Sequence, residues 1–180
     1  MNLPVVSELW NFLRKFGANL LAQLQTTVAG HSPSSADLTA EDFERDELLR
    51  RIPSLTNDDF YAINTQTGER QLTSACFKLR PDESGLSVYS KTVIDRLGLT
   101  YAAVCRKPLN AVASISGTEP PRHGLRTDPD PWPEDVPEPE HPRNAAHALI
   151  MGIAAMERGQ QRDLARAFAA VAVIVHTPTG

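Results

Sequence analysis

The residues best placed by type to do chemistry in this 180-residue chain are Arg51, Ser74, Tyr89 and His147. His147 lies in the apolar segment AAHALIMG, just after an acidic stretch. An imidazole there titrates near neutral pH and can act as a general base or proton shuttle. The structural alternative is a histidine satisfied by a backbone carbonyl at the edge of a core. Arg50 and Arg51 precede Ile52-Pro53. On a helix they would pair, with Arg45, to the acids Glu41, Asp42, Glu44, Asp46 and Glu47. On a strand over 48–52, alternation would send them to opposite faces, and one could grip a phosphate or carboxylate bidentately. Ser74 and Tyr89 belong, with Thr73, Ser87 and Ser90, to a polar set on strand-like segments, where a half-buried sheet face is an equally good home for them.

An arginine, a serine and a tyrosine on adjacent strands would suit a small nucleotide-handling cleft of the ADP-ribosyltransferase-like kind. That chemistry also needs a carboxylate, and the acids of 128–140 are the available source. A second set, Lys78, Arg80, Lys91, Arg106 and Lys107, with Arg96, places six cations against three acids between 78 and 107. Phe77, Tyr89 and Tyr101 are interleaved with them, a mixture suited to an anionic partner or nucleic acid as well as to an ordinary solvated surface. His123, His141 and His147 are spaced by 18 and 6 with proline between. No familiar ligand pattern has that spacing, so no metal is expected. Phosphate-cradling GxxxxGK[ST], GxGxxG, HExxH, CxxC and GxSxG are all missing, which removes the commonest nucleotide, zinc and acyl-transfer enzymes and leaves no cofactor to expect. Cys76 and Cys105 form no disulfide framework and read as small core hydrophobes in strands.

These side chains must be positioned by a mixed set of elements. Residues 3–28 carry Val6, Leu9, Leu13, Phe16, Leu20 and Leu24 at helical spacing, widened by Trp10, Phe12 and Leu21. Leu9, Trp10, Leu13, Phe16 and Leu20 are the expected contact residues for a protein partner or a second copy of the chain. The polar face has too few cations for an interfacial membrane helix. Gly30–Leu38 reads as a flexible link, so residues 1–29 form an arm and 39–180 a single domain. Thr39 and Asp42 make a capping box for a helix carrying Phe43. Its continuation through Leu48–Ile52 competes with a strand over the same residues. Alternation predicts a central strand over 71–79, hairpinned through PDESG to a second over 86–89. Thr92–Leu97 reads as a short helix ended by Gly98. Leu99–Cys105 and Leu109–Ile115 read as strands, and Phe60–Ile63 as a short one. Ala145–Ile153 fits helix or strand, and 160–173 a helix.

The chain is acidic by four charges and holds 14 prolines, eight of them in 118–142. Seven acids and two arginines share that segment, which alone carries −5 and leaves the rest nearly neutral. Proline there opposes helix interior and sheet ladder, so the segment reads as extended surface chain, with Trp132 and Val136 able to pin it. Neither a signal peptide nor an apolar run of about 18 residues is present, which points to a cytoplasmic protein without membrane attachment.

Three segments resemble pieces of a group of small bacterial proteins: LLRRIP at 48–53, QLTSACFKLRPDESGLSVYS at 71–90 and NAAHALIMG at 144–152. That group has an S-S-x-x-F-like strand followed by an L-S-V strand, and an H-A-x-I-x-G segment near the end. Thr73-Ser74 stands at the position of the paired serines. The group carries no activity to transfer, but the resemblance implies that His147 lies in a strand ending at Gly152. The expected architecture is α+β, a small mainly antiparallel or mixed sheet packed by N- and C-terminal helices. The first functional expectation is a non-catalytic interaction module, an accessory subunit of a larger bacterial assembly. The second is a small toxin- or defence-type enzyme on nucleotide or RNA, using Arg51, Ser74, Tyr89 and His147. The third is a nucleic-acid-contacting module through 78–107.

Overall fold

A computed structural model describes residues 33–53, 58–130 and 142–178, which belong to one compact unit beginning at Pro33. The architecture is α+β. Thr39 caps helix α1 (Ala40–Arg45) with the expected reciprocal box: Thr39 N donates to Asp42 Oδ2 at 2.9 Å, and Asp42 N to Thr39 Oγ1 at 3.2 Å. The helix stops at Asp46, whose backbone is extended, and strand β1 (Glu47–Ile52) follows at once. The helix does not continue through Ile52 to a stop at Pro53, because Asp46 turns the backbone extended, and the alternative strand reading of 48–52 holds. Leu48, Leu49 and Ile52 are fully buried there, as in a strand at the middle of a sheet.

A two-stranded ribbon comes next, β2 (Tyr61–Ile63) with β3 (Arg70–Leu72). The main sheet continues with β4 (Gly85–Ser90), β5 (Ala111–Ser116), β6 (Arg126–Pro129), β7 (His147–Met151) and β8 (Val173–His176). Its order is β6-β7-β4-β1-β5-β8, antiparallel throughout. Three further helices complete the unit: α2 (Lys91–Arg96), α3 (Glu119–Arg122) and α4 (Arg158–Val171).

Register and alternation divide the main sheet into two faces. Leu48, Ile52, Val88, Ala113, Ile115, Ala148 and Ile150 share one face through their paired positions. They join a single core with Phe77 and with Leu164, Ala165 and Phe168 of α4. Phe77 and Phe168 meet edge to face, ring centres 6.0 Å apart. The other face carries Arg51, Ser87, Tyr89, His147 and Leu149. Between the central strands, β1 and β4 pair only at Leu48–Ser90 and Leu49–Tyr89. β1 holds β5 over six positions and β4 holds β7 over five. The sheet is therefore split down its middle beyond Leu49 and Tyr89.

Several expectations are corrected. The stretch 71–79 is no central strand and makes no hairpin with β4. Only its start pairs, in the small ribbon, before a 3-10 turn over Ser74–Phe77. Thr73 causes the switch: its hydroxyl accepts from Ala75 N and donates to Asp59 O, so the side chain competes with the ladder. Leu99–Cys105 is likewise a 3-10 turn, Tyr101–Val104, after Gly98 has ended α2 at φ +67°. Cys76 and Cys105 are free thiols in or beside these turns, not in strands. The proline-rich segment is not wholly extended. Pro120 and Pro121 occupy the first turn of α3, where the missing N–H groups cost nothing. Pro129 ends the edge strand β6. Trp132, Val136 and His141 lie outside the described residues, as does the 3–28 helix with Leu9, Trp10, Leu13, Phe16 and Leu20. Ala145–Ile153 resolves to strand β7, and the last apolar run divides into the end of α4 and β8. Residues 33–38, read as part of a link, are packed: Ser35 is fully buried and donates to His147 O at 2.6 Å.

Candidate active site

The split between β1 and β4 opens into a cleft of about 720 Å³. Its floor follows from alternation. Ser87 and Tyr89 sit two apart on β4, and Tyr89 lies opposite His147 on β7. Arg51 projects from the same face of β1, its Nη1 3.3 Å from the Tyr89 hydroxyl. The Tyr89 and His147 rings meet edge to face at 5.4 Å. Around the opening lie Arg80, Asp82 and Glu83 from the turn before β4, and Arg106, Lys107 and Asn110 from the loop before β5.

His147 is 3% exposed and held at both ring nitrogens. Nε2 is 2.7 Å from Ser87 Oγ. Nδ1 is 2.7 Å from the Asp130 carbonyl oxygen and 3.2 Å from Asp130 Oδ2. A carbonyl only accepts, so Nδ1 carries the proton and donates. The neutral ring then has its lone pair at Nε2, where the Ser87 hydroxyl donates. Burial pushes the His147 pKa below its ordinary value, against the opposing pull of Asp130. The ring is thus kept neutral and basic at the nitrogen that faces the cleft. The backbone is pinned as well, since the His147 carbonyl accepts from Ser35 Oγ and from Asp130 N at 3.1 Å.

The two arginines of β1 divide as alternation requires. Arg50 leaves β1 on the face opposite Arg51 yet also lines the cleft, and it donates to the Ser87 carbonyl at 2.6 Å and to the Cys76 carbonyl at 3.2 Å. Burial lowers its pKa to about 10, which leaves it cationic at neutral pH. Arg51 also has its pKa lowered, first by burial. It faces the cleft and is available to an anion.

Of the four residues singled out from sequence, Arg51, Tyr89 and His147 meet in this cleft. Ser74 does not. It lines a separate depression with Arg70, Arg166 and Val173. Ser87 takes its place, and the L-S-V strand pattern that puts Ser87 and Tyr89 on one face was the signal for it. Asp130 is the carboxylate, drawn from the acids of 128–140. Of the cation set, Arg80, Arg106 and Lys107 border the cleft. Lys78 lines another pocket with Phe77, Leu79 and Arg162. Lys91 is bound to Asp95 at 2.5 Å and lies over the Tyr101 ring. The set is therefore split over separate surfaces. His123 sits beside Glu119 at 3.9 Å, away from His147. Among the described residues no group of His, Cys, Asp and Glu is arranged to hold a metal ion, and no helix is long and apolar enough to cross a membrane.

The chain matches no family model, no curated protein and no solved structure.

Proposed function

We propose that this chain is a small enzyme acting on a phosphate-bearing substrate of the nucleotide or RNA class, with His147 as its general base. The observation that carries the reading is the Ser87–His147–Asp130 line of hydrogen bonds at the floor of a cleft bordered by Arg51, Arg80, Arg106 and Lys107. A neutral imidazole whose Nε2 accepts from Ser87 can draw a proton from that hydroxyl, or through it from a group held in the cleft. Arg51 supplies a planar fork for phosphate oxygens, and Arg106 and Lys107 add positive charge on the side of β5. Asp82 lines the same cleft and can accept from a ribose hydroxyl, while Glu83 is engaged by Arg80, through N at 3.0 Å and Nε at 3.7 Å. An arginine, a serine and a tyrosine on neighbouring strands with a carboxylate beside them also meet the requirements of an ADP-ribosyltransferase-like cleft, with Ser87 in the role expected of Ser74.

Calorimetric titration of the full chain with AMP, NAD and a short single-stranded RNA tests the reading. Binding of at least one of them is expected, weakened at least tenfold by Arg51→Gln. No binding of any of the three at about 1 mM ligand would overturn it. In a cell, toxicity on expression that His147→Ala relieves would support a toxin or defence role in the cytoplasm. The nucleic-acid reading now centres on the three cations of the cleft, and the RNA arm of the titration addresses it. The interaction-module reading, with a protein partner or second copy on the 3–28 helix, rests on residues outside the described ones and is a separate proposal.

A further inference from the structure

We infer that Ser87 is itself the nucleophile of this cleft, so that a phosphoryl or nucleotidyl group passes through a covalent Ser87 ester. The inference rests on the cleft taking a phosphate-bearing substrate, and it takes the same line of hydrogen bonds one step further. A serine hydroxyl becomes a nucleophile when a base is within hydrogen-bond reach and a third group orients that base. Both conditions are met: Ser87 Oγ is 2.7 Å from His147 Nε2, and Asp130 holds Nδ1 through both its carbonyl and its carboxylate. Roles, not chain order, define such a set.

The surroundings favour attack by Ser87 over a purely structural hydrogen bond. Ser87 is half-buried and lines the cleft, whereas Ser90, on the opposite face of the same strand, is fully buried and donates to Asp46 Oδ2 at 2.5 Å. Its own backbone is immobilised by Arg50, which binds the Ser87 carbonyl at 2.6 Å and fixes where Oγ points. Arg51, Arg106 and Lys107 provide the positive charge that a phosphoryl group needs as negative charge spreads over its equatorial oxygens.

The step balances without a further reactant. Ser87 Oγ bonds to phosphorus as the bond from phosphorus to the leaving oxygen breaks. The hydroxyl proton moves to His147 Nε2 and on to the leaving oxygen. Water then attacks phosphorus, gives its proton to Nε2, and the Ser87–phosphorus bond breaks as Oγ takes that proton back.

A fluorophosphonate probe tests this directly on the full chain. Oγ would bond to phosphorus, fluoride would leave, and peptide mass spectrometry would place the adduct on Ser87. Labelling is expected at Ser87 alone, absent in Ser87→Ala and slowed at least about a hundredfold in His147→Asn, with thermal unfolding confirming that both variants fold. No adduct on the wild type, an adduct elsewhere, or labelling indifferent to His147→Asn would overturn the inference. Nucleotide titration of Ser87→Ala separates the two readings: binding retained without labelling of the wild type leaves the site and removes the nucleophile. Labelling of Ser87 with no nucleotide bound keeps the nucleophile and removes the substrate class.

Discussion

His147 shows how one residue's surroundings select its chemistry. Its Nδ1 faces a backbone carbonyl and a carboxylate, its Nε2 a hydroxyl, and its backbone carbonyl is bound by Ser35. Solvent-exposed histidine has a pKa near 6.5, and burial holds this one lower. That lowering sets the sign of the pH dependence. Above the folded pKa the ring is neutral and accepts from Ser87. As pH falls through that value Nε2 is protonated and the base is lost. The rate is expected to be level from about pH 6.5 upward and to fall tenfold per pH unit below the lowered pKa, with the profile of kcat/KM as the check. Stability moves in the same direction. The unfolded chain binds the proton from about pH 6.5 downward and the folded chain only at lower pH, so stability contributed above 6.5 is lost as pH falls through that window. Urea midpoints that fail to drop between about pH 7 and pH 5 would contradict it. Removing the base in His147→Ala should cost about 10² to 10⁴ in rate. His147 was legible in the sequence as an odd polar residue in an apolar run. Its partner Ser87 was one of several strand hydroxyls, and only pairing across β4 and β7 separates it from Ser74.

At the scale of elements the decisive feature is the separation of β1 from β4. Arg50 bridges the gap in part, since its guanidinium ties β1 to the Ser87 carbonyl of β4. The seat of α1 on the sheet shows how closely the elements fit. Gly117, just after β5, donates to Asp46 O at 2.8 Å. A Cβ built there would stand 1.8 Å from the Phe43 carbonyl oxygen, backbone that cannot swing aside. Gly117→Ala should therefore cost about 3 kcal/mol, the upper end for overpacking, measured by chemical denaturation. A loss below about 0.5 kcal/mol would mean that α1 is seated loosely. Helices were read well at a marked end, as at the start of α1 by Thr39 with Asp42 and the end of α2 by Gly98, and α4 was read from its composition. Strands were read well where no helical pattern competed, as in β5, whereas the residues of β1 were read first as the end of the helix that starts after Thr39. The failures lie where side-chain hydroxyls or short-range bonds displaced the ladder. Thr73 turned 74–77 into a 3-10 turn, and the prolines of 118–142 did not keep Glu119–Arg122 from a helical turn or Arg126–Pro129 from the sheet ladder.

For the whole molecule, a chain beginning at Pro33 is expected to keep the fold, because every described element lies within the unit that starts there. Light scattering then tests the arm. Self-association of the full chain that the shorter chain lacks would support docking through 3–28, and two equally stable monomers would remove that reading. The acidic segment opposed an anionic partner when charge was averaged over the chain, yet part of it, Asp130, serves the basic cleft. By itself the sequence determined the α+β class, the capped helices, the apolar strands and the presence of a titratable histidine beside an acidic stretch. Those properties depend on local spacing and on neighbours within a few residues. Strand order, the split sheet and the choice of Ser87 over Ser74 were decided only by tertiary structure. They depend on which strands pair across dozens of residues of chain, and a one-residue pattern of alternation is the same whichever neighbour a strand finds.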